Sequence, residues 1–218
     1  GDNSNLGRFK RTFITSFHQM MYLVIPASVI LLVLRVPVVR IVYGASTFPL
    51  EATIKTSYAL AFFSLSVFAQ GGNYLLTRAF YALKDTSTPV KVSATTLVLN
   101  VLLSLAFVNY WKLGVWSISF SFSITTVLTF LTLLILLRKK VGGFSWEELT
   151  IPFTKISYAA LFMGIGLYIP LKLLDQFVFD TTRVIPLLLL TGVATLVGSA
   201  TYLFCTSFFV VLAMTEFS

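Results

Sequence analysis

Arg78-Ala-Phe-Tyr-Ala-Leu-Lys-Asp-Thr-Ser-Thr-Pro-Val-Lys91 is a polar hinge between two long apolar runs. An arginine ends a membrane-length run, aromatic residues follow, and a charged turn is closed by Pro89 before the chain becomes apolar again. One crossing of the hydrocarbon core takes about 20 mainly apolar residues as a helix. The hinge therefore reads as the point where one crossing ends and the next begins.

Working outward, the chain has 218 residues, of which 57% are hydrophobic and only 11% charged, with a mean hydropathy of +0.90. Soluble domains carry about 25% charged residues, so the composition places the chain in a bilayer. The net charge of +8 does not indicate nucleic acid. Its Lys and Arg residues sit in short clusters between apolar runs, as topology signals do. The single cysteine, Cys205, excludes a disulfide within the chain and reads as a small buried thiol. The chain opens Gly-Asp-Asn-Ser without Met or a signal-peptide pattern, and is expected to be a piece of a longer protein.

Six runs qualify as crossings, at about residues 12–34, 50–83, 90–108, 115–137, 151–173 and 183–214. The fold class is an all-α integral membrane protein with six transmembrane helices. Pro26 is expected to kink the first helix. The segment 35–43, with Arg35 and Arg40, reads as a helix end or interfacial piece stopped by Gly44. Nine basic residues (Arg8, Lys10, Arg11, Lys84, Lys91, Arg138, Lys139, Lys140 and Lys155) fall on one side of the six spans. The other side has six, Arg35, Arg40, Lys55, Lys112, Lys172 and Arg183. The richer side is assigned to the cytoplasm. That leaves Glu216 and the C-terminus cytoplasmic, and the 109–112 and 174–180 loops outside, with Tyr110 and Trp111 as interface anchors.

Signals for an enzyme are sparse. The lone His18 reads as a packed or interfacial histidine, and no metal-ligand cluster or nucleotide fingerprint is present in the sequence. Glu147 and Glu148 follow Ser145 at capping-box spacing and read as the start of a short amphipathic helix. Polar residues inside the crossings carry more information, since each costs free energy unless it faces protein or a wet cavity. Gln70, Asn73 and Thr77 share one helix face, with Arg78 on or near it. Either they line a polar lumen, or the amides and the nearby Gly71 and Gly72 serve helix–helix contact. Asn100 and Ser104 lie one helical step apart on the third crossing, read as interhelical contact or as a ligand or ion position. The fourth crossing is rich in hydroxyls (Ser117 to Thr126), which suggests a polar interior among the second, third and fourth. Gly192 and Gly198 suit close packing of the sixth.

At the hinge the chain resembles the bacterial lipid II flippase family MurJ (also called MviN), of the MOP exporter superfamily. The family pattern is Phe-Tyr-Ala-x-x-Asp-Thr-x-Thr-Pro-Val, matched by Phe80, Tyr81, Asp85, Thr86, Thr88 and Pro89. Pro26-Ala-Ser, the Pro37 to Gly44 stretch and Leu113-Gly-Val115 support it. The resemblance implies helices nine to fourteen of a fourteen-helix bundle. Residues 1–140 would form the last four helices of the second lobe, and 141–218 a C-terminal pair with a lipid-tail groove. It implies a monomeric transporter, and not an enzyme, in the bacterial inner membrane among membrane lipids. That transporter would pass lipid II from inner to outer leaflet by alternating access. Arg78 matches a cavity arginine of some members, implying contact with pyrophosphate together with Gln70, Asn73 and Thr77. Asn100 matches a sodium position of one branch, although the carboxylate expected one turn later is Ser104 here. No cofactor is implied beyond sodium or the membrane potential. The motif residues Asp85 and Thr86 to Pro89 are expected to shape the turn and cap the next helix. Other readings are a related polyprenyl-linked oligosaccharide exporter, a membrane-embedded transferase, or an assembly protein.

Overall fold

A computed structural model of the chain describes residues 2–43, 49–177 and 184–215. They form helices α1 (Asp2–Val33), α2 (Arg35–Tyr43), α3 (Leu50–Ala82), α4 (Ser87–Leu105), α5 (Trp116–Lys140), α6 (Trp146–Phe177) and α7 (Val184–Thr215). Six of these are long and apolar enough to cross a membrane, all but the nine-residue α2. Helices are the expected solution, because hydrocarbon offers no partner for a free backbone group.

Proline sets one of the breaks. Pro37 has no N–H for the carbonyl of Val33, and the helix is interrupted at Leu34 between α1 and α2. The flanking bonds persist, from Leu34 N–H to the Ile30 carbonyl and from Val38 N–H to the Leu34 carbonyl. The interfacial piece expected at 35–43 is thus a separate short helix. Pro26, by contrast, lies within α1, which stays helical through it.

The turn after α3 is built by its own residues. Lys84 adopts φ 57°, while the Asp85 N–H reaches the Phe80 carbonyl and the Lys84 N–H reaches Tyr81. These are the 6→1 and 5→2 bonds of a Schellman ending. Asp85 then caps α4, accepting from the Thr88 N–H at 3.0 Å and the Thr88 hydroxyl at 2.7 Å. Thr86, expected to share in the capping, makes no side-chain cap bond. Beyond Leu105 the α4 helix widens into a π-turn over Ala106–Tyr110, which carries Tyr110 and Trp111 exposed at its end. Two further expectations shift. The short helix predicted at Glu147 and Glu148 is simply the first turn of α6, which begins at Trp146 and continues into the membrane run. At its other end α6 continues to Phe177, into the segment expected to be a loop. Phe179, Asp180, Arg183, Gly44 and Glu216 lie outside the described residues.

The helices pack in the order α4–α5–α3–α1–α6–α7, and α2 touches both α3 and α7. Small residues set the closest contacts. A Cβ on Gly72 of α3 would lie 2.3 Å from the Phe130 ring of α5, and one on Gly164 of α6 would lie 3.2 Å from Val29 of α1. Between α6 and α7 the fit is reciprocal, with Gly198 under Leu167 and Gly166 under Thr201. Gly192, expected to serve in the same way, would bring a Cβ within 4 Å of no atom among the described residues. One apolar cluster runs through the bundle, from Phe17, Leu76 and Leu133 to Met163 and Ala194.

Candidate functional site: a polar face and a polar cleft

Gly71 and Gly72 let α3 sit close to a neighbour on each side, Val24 and Met20 of α1 and Phe130 of α5. This leaves a third face of α3 uncovered. Arg78 and Tyr74 are exposed there, with Gln70 and Thr77 half-buried beside them. Arg78 forms no ion pair with any described residue. The Gln70 amide donates to Ser66 one turn back, at 3.2 Å, so it stays on its own helix.

Asn73 does something different. Its amide nitrogen donates to the Thr126 carbonyl of α5 at 3.2 Å, while its Oδ1 is buried without a hydrogen-bond partner among the described residues. It borders a cleft of about 190 Å³ between α3, α4 and α5, together with Asn100, Thr96, Thr125, Thr126 and Thr129. The structure therefore brings Asn73 and Asn100 to one cleft. Gln70, Thr77 and Arg78 remain outside it, on the open face.

Helix α4 joins the bundle through the far side of this cleft. Asn100 Nδ2 donates to the Thr125 hydroxyl at 3.0 Å, and the Ser104 and Ser121 hydroxyls lie 2.6 Å apart. The spacing of four residues on each antiparallel helix makes these two rungs of one ladder. Ser123 and Thr129 of α5 bond carbonyls of their own helix one turn back, those of Ser119 and Thr125. The Ser117 hydroxyl, by contrast, is buried without a partner among the described residues. Asn100 and Ser104 are both engaged with α5, and the described residues lining the cleft include no carboxylate.

The turn residues lie apart from both polar regions. Asp85 pairs with Lys140 at the end of α5, which ties the α3–α4 hinge to the next cytoplasm-assigned loop. The Lys140 ammonium beside it, and then Thr88, hold the Asp85 carboxyl well below the usual carboxylate range. Phe80 and Pro89 are buried, whereas Tyr81 is exposed. Arg138 donates to the Phe144 carbonyl at 3.0 Å and lies over the Trp146 ring, shaping the α5–α6 loop. His18 packs edge-on to Phe17. Sequence reasoning missed the Asp85–Lys140 pair, because Lys140 carries no local signal beyond its charge. It also missed Tyr74, whose exposure depends on which faces of α3 are covered.

A family profile described as "Lipid II flippase MurJ" matches residues 2–188. A probable lipid II flippase MurJ from Synechocystis is 38% identical over 82 residues, covering 38% of this chain and 15% of that protein. One from Bdellovibrio bacteriovorus is 23% identical over 183 residues, covering 84% of the chain and 34% of that protein. A solved lipid II flippase MurJ in an inward closed conformation superposes with TM-score 0.76 and 24% identity. That match covers 94% of this chain and 40% of the solved one, so the chain spans well under half the length of these relatives. With its family profile matched across nearly the whole chain, and six apolar helices arranged as in the solved bundle, this multi-pass membrane chain belongs to the lipid II flippase MurJ family.

Proposed function

We propose that the chain is the later part of a transporter that moves lipid II from the inner to the outer leaflet of the bacterial inner membrane by alternating access. The family match over residues 2–188 carries this reading. The uncovered face of α3 is compatible with it. An exposed arginine beside amide and hydroxyl groups, on a helix of membrane-crossing length, suits an anionic head group such as pyrophosphate. In a medium of low dielectric constant a fixed positive charge attracts such a group far more strongly than it would in water. Arg78 is assigned that contact, with Gln70 and Thr77 beside it. Asn73 and the Asn100–Ser104 pair are assigned to holding α3, α4 and α5 together.

Energy is assigned to the membrane potential. Carrying one negative charge outward across 100 mV, inside negative, is favourable by about 2.3 kcal/mol. The basic α3–α4 and α5–α6 loops are placed in the cytoplasm, which leaves the C-terminus there too. The α6–α7 pair is assigned the lipid-tail groove, and the whole protein works as a monomer.

The test is a lipid II accessibility assay on the full-length protein. Arg78→Ala is expected to slow flipping at least several-fold and Arg78→Lys to retain more activity; unchanged flipping in Arg78→Ala would remove the arginine from the mechanism. Depletion should halt peptidoglycan synthesis and be rescued by an established lipid II flippase. Failure of that rescue would favour a related polyprenyl-linked exporter.

A further inference from the structure

Pro26 lies inside α1 and has no N–H to offer the carbonyl four residues before it, which belongs to Tyr22. Within a bilayer a backbone carbonyl freed in this way needs another donor, and a neighbouring helix is one source. A hydroxyl from another helix supplies it here. Tyr202 of α7 donates to the Tyr22 carbonyl at 2.8 Å. The two rings lie against each other with centroids 5.2 Å apart. The Tyr22 hydroxyl lies 3.3 Å from the Thr206 hydroxyl, one turn further along α7. Tyr202 is only 5% exposed, so its hydroxyl needs a partner inside the protein.

We propose that Tyr202 is a positioning residue that fastens the α6–α7 pair to α1, and that the fastening exists because Pro26 frees the Tyr22 carbonyl. The remaining contacts between the pair and α1 include Val29 against Gly164, which is van der Waals packing that tolerates sliding and rotation. A hydroxyl-to-carbonyl bond is directional, so it sets the rotation and height of α7. The direction of a carbonyl beside a helix proline changes as the helix bends there. Bending of α1 and the seating of α7 are thereby linked. This inference stands whether or not the protein carries lipid II.

A double-mutant cycle on the full-length protein tests it. Tyr202→Phe is expected to lower the melting temperature by a few degrees and to speed amide exchange around residues 198–206. In a Pro26→Ala background the residue 26 N–H reclaims the Tyr22 carbonyl, so adding Tyr202→Phe should have almost no further effect. Equal losses in both backgrounds, or no loss in the wild type, would overturn the proposal. Should Pro26→Ala not fold, 4-aminophenylalanine in place of Tyr202 decides the matter. It keeps a donor and should restore the melting temperature that Phe loses; identical behaviour of the two replacements refutes the fastening.

Discussion

Lys84 and Asp85 occupy neighbouring positions in one turn, and their chemistry differs sharply. Lys84 holds a left-handed backbone that costs a residue with a Cβ about 1–2 kcal/mol. The Schellman bonds around it keep it there. Lys84→Gly should therefore raise the melting temperature, since glycine adopts that conformation without the penalty. Asp85 acts through charge. Its carboxyl is depressed below its ordinary 3.8, so the unfolded chain takes up a proton first on acidification. The stability this group contributes is complete above the ordinary carboxylate range and is lost as pH falls through the folded value. Melting temperatures of the wild type and Asp85→Asn should differ at neutral pH and converge as pH drops below about 4. A gap independent of pH would show that the stabilisation does not come from the ionised carboxylate. The motif residues are thus legible as a turn from sequence alone, because Schellman endings and Asp caps are local. Their partner Lys140 is not, being brought in by the packing of α5.

At the scale of the helix, glycines of similar appearance have different tasks. Gly198 and Gly192 lie on the same helix, six residues apart, and the sequence offers no ground for separating them. Leu167 lies over one and open space over the other. Gly198→Ala should cost about 1–3 kcal/mol by overpacking. Gly192→Ala should be neutral, or stabilising by up to about 1 kcal/mol, because alanine is the better helix former. Thermal unfolding of the two variants checks the contrast, and equal losses would contradict the packing. The intramembrane amides raise the same problem. Gln70 and Asn73 share a helix face in sequence, yet Asn73 is drawn to the Thr126 carbonyl and Gln70 bonds back to Ser66. The difference arises where α5 lies, not in either side chain.

For the whole molecule, the order α4–α5–α3–α1–α6–α7 determines which polar groups meet and which stay uncovered. It separates the arginine face of α3 from the amide–hydroxyl cleft. If the face borders an aqueous cavity in the full-length protein, Tyr74→Cys should react with a membrane-impermeant, water-soluble thiol reagent after Cys205 is replaced by alanine. Phe162→Cys, on the exposed outer side of α6 in a membrane run, should stay unlabelled in the same vesicles. Labelling of both, or of neither, would argue against a wet cavity at α3.

The sequence by itself determined the number of crossings, their approximate ends, the hinge at Asp85 and the family. The family came from the resemblance of the hinge motif; the rest follows from constraints that act along the chain: the thickness of hydrocarbon, the need to bond every backbone group, and the dihedral limits of a tight turn. Only the tertiary structure decided which faces are covered, which glycine is a contact, and which donor completes the carbonyl freed by Pro26. In a bilayer the outer surface of a bundle is as apolar as its interior, so hydropathy cannot tell the two apart. Small-residue fit and single hydrogen bonds between helices make that choice, and both depend on residues far away in sequence.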